Sequence, residues 1–138
     1  MEKSKMKIIA VKGAKNTGKT TTIRNILQKF CALKGANLDE YHPAGGDKCD
    51  FDAVLTINGK IVVIRSYGDG ITYIRDGLKF ANDKNADVLL IAWNSDLDNS
   101  YELKTELPNS EVHNNPIQIC EPLRTQWVEF SNLIAKKI

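Results

Sequence analysis

The segment Gly13-Ala14-Lys15-Asn16-Thr17-Gly18-Lys19-Thr20 constrains this chain more than any other part of it. It satisfies the pattern G-x-x-x-x-G-K-[ST] at every fixed position, and its flanks are those the pattern needs. Before it, Lys7 to Val11 (KIIAV) is a short apolar run of the kind that forms a strand buried on both faces. After it, Ile23, Ile26, Leu27 and Phe30 recur at i, i+3, i+4 and i+7. That stripe predicts an amphipathic helix over Lys19 to Lys34, with Gly35 as its stop. A strand, a glycine-containing loop and a helix in this order bring successive backbone N–H groups and the positive end of a helix to one point. Such a point takes an anion.

The remainder of the chain predicts a layered α/β domain around that loop. Residues 35–51 (GANLDEYHPAGGDKCDF) carry Gly, Asp and Pro without periodicity and read as a long loop. Ala53–Ile57 and Lys60–Ile64 are β-rich runs joined by Asn58-Gly59, a type I′ hairpin signal that makes them antiparallel neighbours. Ser66 to Gly70 forms a sharp loop, and Ile71, Ile74, Leu78 and Ala81 mark the apolar face of a second helix. Asp87–Trp93 (DVLLIAW) is another buried strand. A polar stretch runs from Asn94 to Pro116, followed by a short strand at Ile117–Cys120 and a last helix striped by Leu123, Trp127, Phe130 and Ile134. Buried strands alternating with amphipathic helices imply a three-layer, mostly parallel sheet with helices on both faces, the hairpin supplying one antiparallel strand. At 138 residues with no repeat or linker, one domain over 1–138 is expected.

Charge is divided unevenly. The formal net charge is only +2, yet residues 1–34 hold nine Lys/Arg against the single Glu2, while residues 35–111 hold seven against fourteen Asp/Glu. The basic head meets the anion, and Lys12, Lys15 and Lys19 at the loop make a triphosphate its simplest identity. Nucleic acid is not required, since Lys3, Lys5 and Lys7 lack the interleaved aromatics of a nucleic-acid surface. The first apolar run is too short for a signal peptide, and no run approaches membrane length. A cytoplasmic protein without a membrane partner is the expectation. Three cysteines, Cys31, Cys49 and Cys120, have neither disulfide parity nor metal-ligand spacing.

The glycine loop in its strand–helix context resembles that of the P-loop NTPase superfamily. The resemblance implies a nucleoside triphosphate bound with Mg²⁺, contacted by Gly13, Lys15, Asn16, Thr17, Gly18, Lys19, Thr20 and Thr21. By the same resemblance Lys19 reaches the β- and γ-phosphates and the Thr20 hydroxyl joins the shell of the metal. Such a site also takes a carboxylate at a neighbouring strand end, and Asp69, just past the run Lys60–Ile64, is the residue in that position. Asp47, Asp50 and Asp52 rank below it as loop or strand-start carboxylates, which are commonly only solvated. Lys19 and Asp69 are thus the expected catalytic pair, with Thr20 and Asp69 on the metal.

The hairpin before the acid loop is similar to the arrangement in Ras-like small GTPases. Their D-x-x-G is replaced here by Ser66-Tyr67-Gly68-Asp69-Gly70, and their N-K-x-D by Asn94-Ser95-Asp96-Leu97. ATP is therefore expected over GTP. The segment 94–116, where a kinase lid would be inserted, contains Lys104 as its single base and no arginine. Arg65 and Arg75 flank the acid loop, with surface ion pairing the simpler role for both. The general order of elements is also similar to that of the molybdopterin-guanine dinucleotide biosynthesis adaptor. Three functions follow: an Mg²⁺-dependent NTP phosphohydrolase, a nucleotide-dependent adaptor with little turnover and a protein partner, or a small nucleotide or metabolite kinase.

Overall fold

Six of the predicted elements fall among the residues described by the computed structural model, which are 6–14, 19–44, 50–114, 132–134 and 136. The apolar run before the glycine loop is β1 (Lys7–Gly13), and the helix after it is α1 (Lys19–Cys31). The hairpin is formed by β3 (Phe51–Ile57) and β4 (Lys60–Arg65). At its turn Asn58 has φ 50° and Gly59 φ 83°, the pair of positive values that a type I′ turn demands. Then follow α2 (Ile71–Asp83) and β5 (Val88–Asn94).

Two stretches differ from the sequence expectation. Within the expected loop 35–51, Ala36–Pro43 forms a strand, β2, paired antiparallel with β3 and irregular between Leu38 and Glu40. Its side chains are largely exposed, so it has no buried face to imprint a period on the sequence. Backbone pairing, with side-chain contacts such as Thr56 to Asp39 and Tyr41 stacked on Phe51, places it at the sheet edge, where charged residues and a terminal proline are tolerated. The polar stretch after β5 is also structured, with a 3₁₀ turn at Ser95–Asn99, a short helix α3 (Leu103–Glu106) and a strand β6 (Glu111–Asn114). The strand expected at Ile117–Cys120 and the stripe residues Leu123, Trp127 and Phe130 lie outside the described residues. Ile134 is buried, in the cluster under α1.

The six strands form one sheet in the order β2-β3-β4-β5-β1-β6. β1 lies parallel to β5 and β6, and β4 parallel to β5. β3 is antiparallel to both neighbours, making it the one reversed strand among the six. Alternate side chains divide the core into two layers. Ile9, Val11, Leu55, Ile64 and Leu90 pack beneath Ile23, Ile26, Leu27 and Phe30 of α1. On the other face, Ile8, Ala10, Val63, Leu89, Ile91 and Trp93 pack beneath Ile74 and Ala81 of α2 and Leu103 of α3. Helices on both faces of a mixed, mostly parallel sheet are what the element order implied.

This topology collects the chemistry at one edge. β1, β4, β5 and β6 run parallel, so Gly13, Arg65, Asn94 and Asn114 all finish on the same side, and reversed β3 begins there. From β1 the chain moves through α1 to the β2 end of the sheet. From β5 it moves the other way, past β1 to β6. Connections that diverge from adjacent strands leave a crevice outside their carboxyl ends, the usual ligand position in open α/β sheets.

Candidate functional site

At that crevice, β1 ends in Gly13 and α1 opens with Lys19 and Thr20. The intervening Lys15, Asn16, Thr17 and Gly18, all expected phosphate contacts, lie outside the described residues. Lys19 is 6% exposed, and its ammonium donates to the carbonyl of Ala14 at 2.7 Å. Burial holds its pKa below the ordinary lysine value, against the pull of Asp69, Asp96 and Asp50. The ammonium is held by a backbone carbonyl rather than by an ion pair among the described residues, so its charge is open to an anionic ligand. Thr21, the last of the expected contacts, is exposed on the first turn of α1.

The Thr20 hydroxyl donates to Oδ1 of Asp50 at 2.9 Å and lies 3.4 Å from the carbonyl oxygen of Ser66. Ser66 joins the start of β3 to the end of β4. Its N–H donates to the Phe51 carbonyl (3.1 Å), its Oγ accepts from the Phe51 N–H (2.8 Å), and the same Oγ lies 3.3 Å from Asp50 Oδ1. Asp50, a low-ranked loop carboxylate in the sequence, is thus the one in contact with Thr20. The proximity of Thr20 and Asp50 carries no sequence signal, because it depends on where reversed β3 begins.

Asp69 lies on the loop after β4, as its position predicted, and is exposed. Its carboxylate accepts from the side-chain amide of Asn94 at 3.1 Å. Asn94 is 3% exposed, and both ends of its side-chain amide are engaged: its Oδ1 accepts from the Asp96 N–H (2.9 Å), while its backbone N–H donates to Gly68 (3.1 Å). Gly68 approaches β5 so closely that a Cβ on it would stand 1.9 Å from the Ala92 carbonyl oxygen. Only glycine fits there without backbone movement. The acid loop is therefore fastened to the end of β5, with Asp69 the carboxylate acting most strongly on Lys19.

Asp52, one residue beyond Phe51, is held elsewhere. Arg65, 3% exposed, donates to both Asp52 oxygens (2.6 and 3.2 Å), to Asp76 (2.9 Å) and to the Tyr73 carbonyl (2.9 Å). Tyr67 donates its hydroxyl to Asp52 (2.7 Å), and its ring lies 4.6 Å from the guanidinium carbon. Burial, and then the Asp52 carboxylate, push the Tyr67 phenol well above its ordinary pKa. Arg65 is therefore a buried structural cation rather than a surface one. Arg75 does form the expected exposed pair, with Glu106 at 2.6 Å.

The lesser candidates resolve plainly. His42 pairs with Glu40 and His113 with Glu111, neither beside Lys19. Trp93 is wholly buried and donates Nε1–H to Asp98 (2.9 Å), which also pairs with Lys12. Cys31 is exposed. Among the described residues, no group of three or more His, Cys, Asp or Glu could hold a metal ion, and no helix is long and apolar enough to cross a membrane.

Among curated proteins, the chain is similar to the signal recognition particle receptor FtsY of Buchnera aphidicola subsp. Acyrthosiphon pisum (strain APS). The two are 32% identical over 105 residues, which cover 72% of this chain and 27% of the receptor. The chain spans about a quarter of the length of that relative. No protein-family model matches the chain, and no solved structure matches it. The similarity supports a P-loop nucleotide-binding protein at the level of the superfamily.

Proposed function

We propose that this protein binds a nucleoside triphosphate together with Mg²⁺ at the junction of β1 and α1, and that it cleaves the terminal phosphoanhydride. The observation that carries this reading is the placement of Lys19: buried, at the first residue of the helix, on the carboxyl edge of the parallel strands and within the electrostatic reach of Asp69, Asp96 and Asp50. A helix start and a fixed ammonium favour phosphate oxygens. The carboxylates opposite them would repel a triphosphate unless a divalent cation came with it. The donors around Thr20 are hard oxygens, as Mg²⁺ requires, and too few to form a cage of their own. An ion delivered with the nucleotide fits such a set. Thr20 and a carboxylate would hold it, and Asp69 would act on it directly or through water. When bound, Mg²⁺ offsets charge on the phosphate oxygens.

The chain's own groups supply the rest. Gly13 and Lys15 to Thr21 wrap the phosphates. Lys19 stabilises charge that grows on them during transfer to water. Asn94 opens the segment where a guanine-reading motif would lie, but its amide is committed to Asp69 and Asp96. That commitment favours ATP over GTP. A cytoplasmic location suits such a substrate.

Titration with ATP and GTP in the presence of Mg²⁺ tests the binding claim. Lys19→Ala is expected to weaken affinity about tenfold to a hundredfold, the worth of a hydrogen bond to a charged group. Unchanged affinity would sink the reading. The adaptor alternative, favoured by a segment 94–116 that carries no arginine, is separated by phosphate release at saturating nucleotide. Turnover equal to buffer alone would select it. Phosphorylated product from a panel of nucleoside monophosphates would select a kinase instead.

A further inference from the structure

The nucleotide reading leaves unassigned the carboxylate that shares the cation directly with Thr20; resting on that reading, we propose that it is Asp50. Three features of the structure converge on this residue. The first is distance. Mg²⁺ binds near-octahedrally at 2.0–2.1 Å, so two neighbouring ligand oxygens stand about 2.9 Å apart. Thr20 Oγ1 and Asp50 Oδ1 stand 2.9 Å apart. The pair already has the spacing of one edge of that octahedron, and the hydroxyl proton now shared between them can turn away when a cation takes its place.

The second is capacity. A carboxylate offers about four acceptor positions. Among the described residues, the side chain of Asp50 is contacted by two hydroxyls, those of Thr20 and Ser66, and by no Lys, Arg or His within ion-pair distance. Asp52 has both oxygens filled by Arg65 and one also by Tyr67. Asp69 is engaged by the Asn94 amide, and its described hydrogen bonds do not include Thr20. Asp50 has room for a cation and the neighbour with which to share it.

The third is support. Asp50 directly precedes Phe51, whose N–H and C=O are both held by Ser66, itself 1% exposed. Ser66 Oγ then reaches the carboxylate. Ser66 is accordingly a positioning residue: it fixes where β3 begins and aims Asp50 at the helix start. Preorganised ligands of this kind lose less on binding than mobile ones.

The experiment is nucleotide binding against Mg²⁺ concentration, followed by fluorescence of a labelled ATP, with Mn²⁺ in place of Mg²⁺ and its electron paramagnetic resonance signal as an independent readout of bound metal. For Asp50→Asn, the half-saturating Mg²⁺ concentration is expected to rise at least about tenfold, the scale set by lost metal-site groups. Binding in EDTA should stay the same or tighten, since a negative charge has gone. Ser66→Ala should move the Mg²⁺ curve the same way by a smaller factor. Asp50→Ser, which keeps an oxygen for Thr20 and removes the charge, is read in parallel in case the amide misfolds. A folded Asp50 variant with the wild-type Mg²⁺ and Mn²⁺ curves overturns the assignment while leaving the nucleotide site standing. If the wild-type chain binds no nucleotide and Lys19→Ala changes nothing, the underlying reading fails and Asp50 with it.

Discussion

Asp50 and Asp52 flank Phe51 at the start of the same strand, yet the fold uses them in opposite ways. Asp52 is clamped by the buried Arg65 guanidinium and by Tyr67, beneath α2. Asp50 looks onto the first turn of α1, held by two neutral hydroxyls. A carboxylate with a permanent cation is a structural part. A carboxylate beside neutral donors keeps its charge available. The difference teaches that distance from the functional loop matters less than whether the acceptor positions are already filled.

The largest expected effect breaks the comparison at its structural end. Arg65→Ala leaves Asp52 buried without its cation and should cost about 3–5 kcal/mol of stability in urea unfolding, the penalty for removing one partner of a buried pair. Asp50→Asn should stay within about 0.5 kcal/mol of wild type, as a change at a partly exposed site with neutral partners does. Similar losses for the two would erase the distinction.

A smaller effect sharpens the functional end. Asp69→Asn should raise the Mg²⁺ needed for nucleotide binding by up to about tenfold, the range of outer groups at a metal site. Asp52→Asn, judged only at temperatures where it is folded, should leave that requirement close to wild type. Equal shifts from the two would reject a metal role for Asp69.

The smallest effect is on pH. Burial lowers the Lys19 pKa, so its ammonium discharges at a lower pH than that of an exposed lysine. Because the charged form binds phosphate, affinity should be flat near neutrality and decline as pH rises through that lowered value. Lys19→Met, already weak, should show no such alkaline limb. A wild-type affinity that holds steady until the ordinary lysine range would count against the buried-cation description.

Much of the fold was legible in the residues. Strand β1, helix α1 and the β3–β4 hairpin follow from periodicity and from Asn58-Gly59, which act over a few residues. β2 was not legible, because its exposed side chains leave no pattern and what holds it, the pairing with β3 and contacts such as Arg24 to Tyr41 and Lys84 to Glu40, comes from distant residues. The same holds for β6, whose alternating half-exposed residues sit against β1 at the other edge. At the candidate site, the positions of Lys19, Thr20 and Asp69 at helix start and strand end followed from spacing. Asn94 and Ser66 were not, since each works by joining segments far apart in sequence.

The sequence by itself determined that a glycine loop would stand between a buried strand and an amphipathic helix, because glycine geometry, apolar period and helix polarity are local properties. Only the tertiary structure decided which carboxylates meet that loop. Asp50, Asp52, Asp69 and Asp96 are the same chemical group, and nothing in a residue's identity says which of them the edge of a sheet will bring to Thr20, which to Lys19, and which it will bury against an arginine.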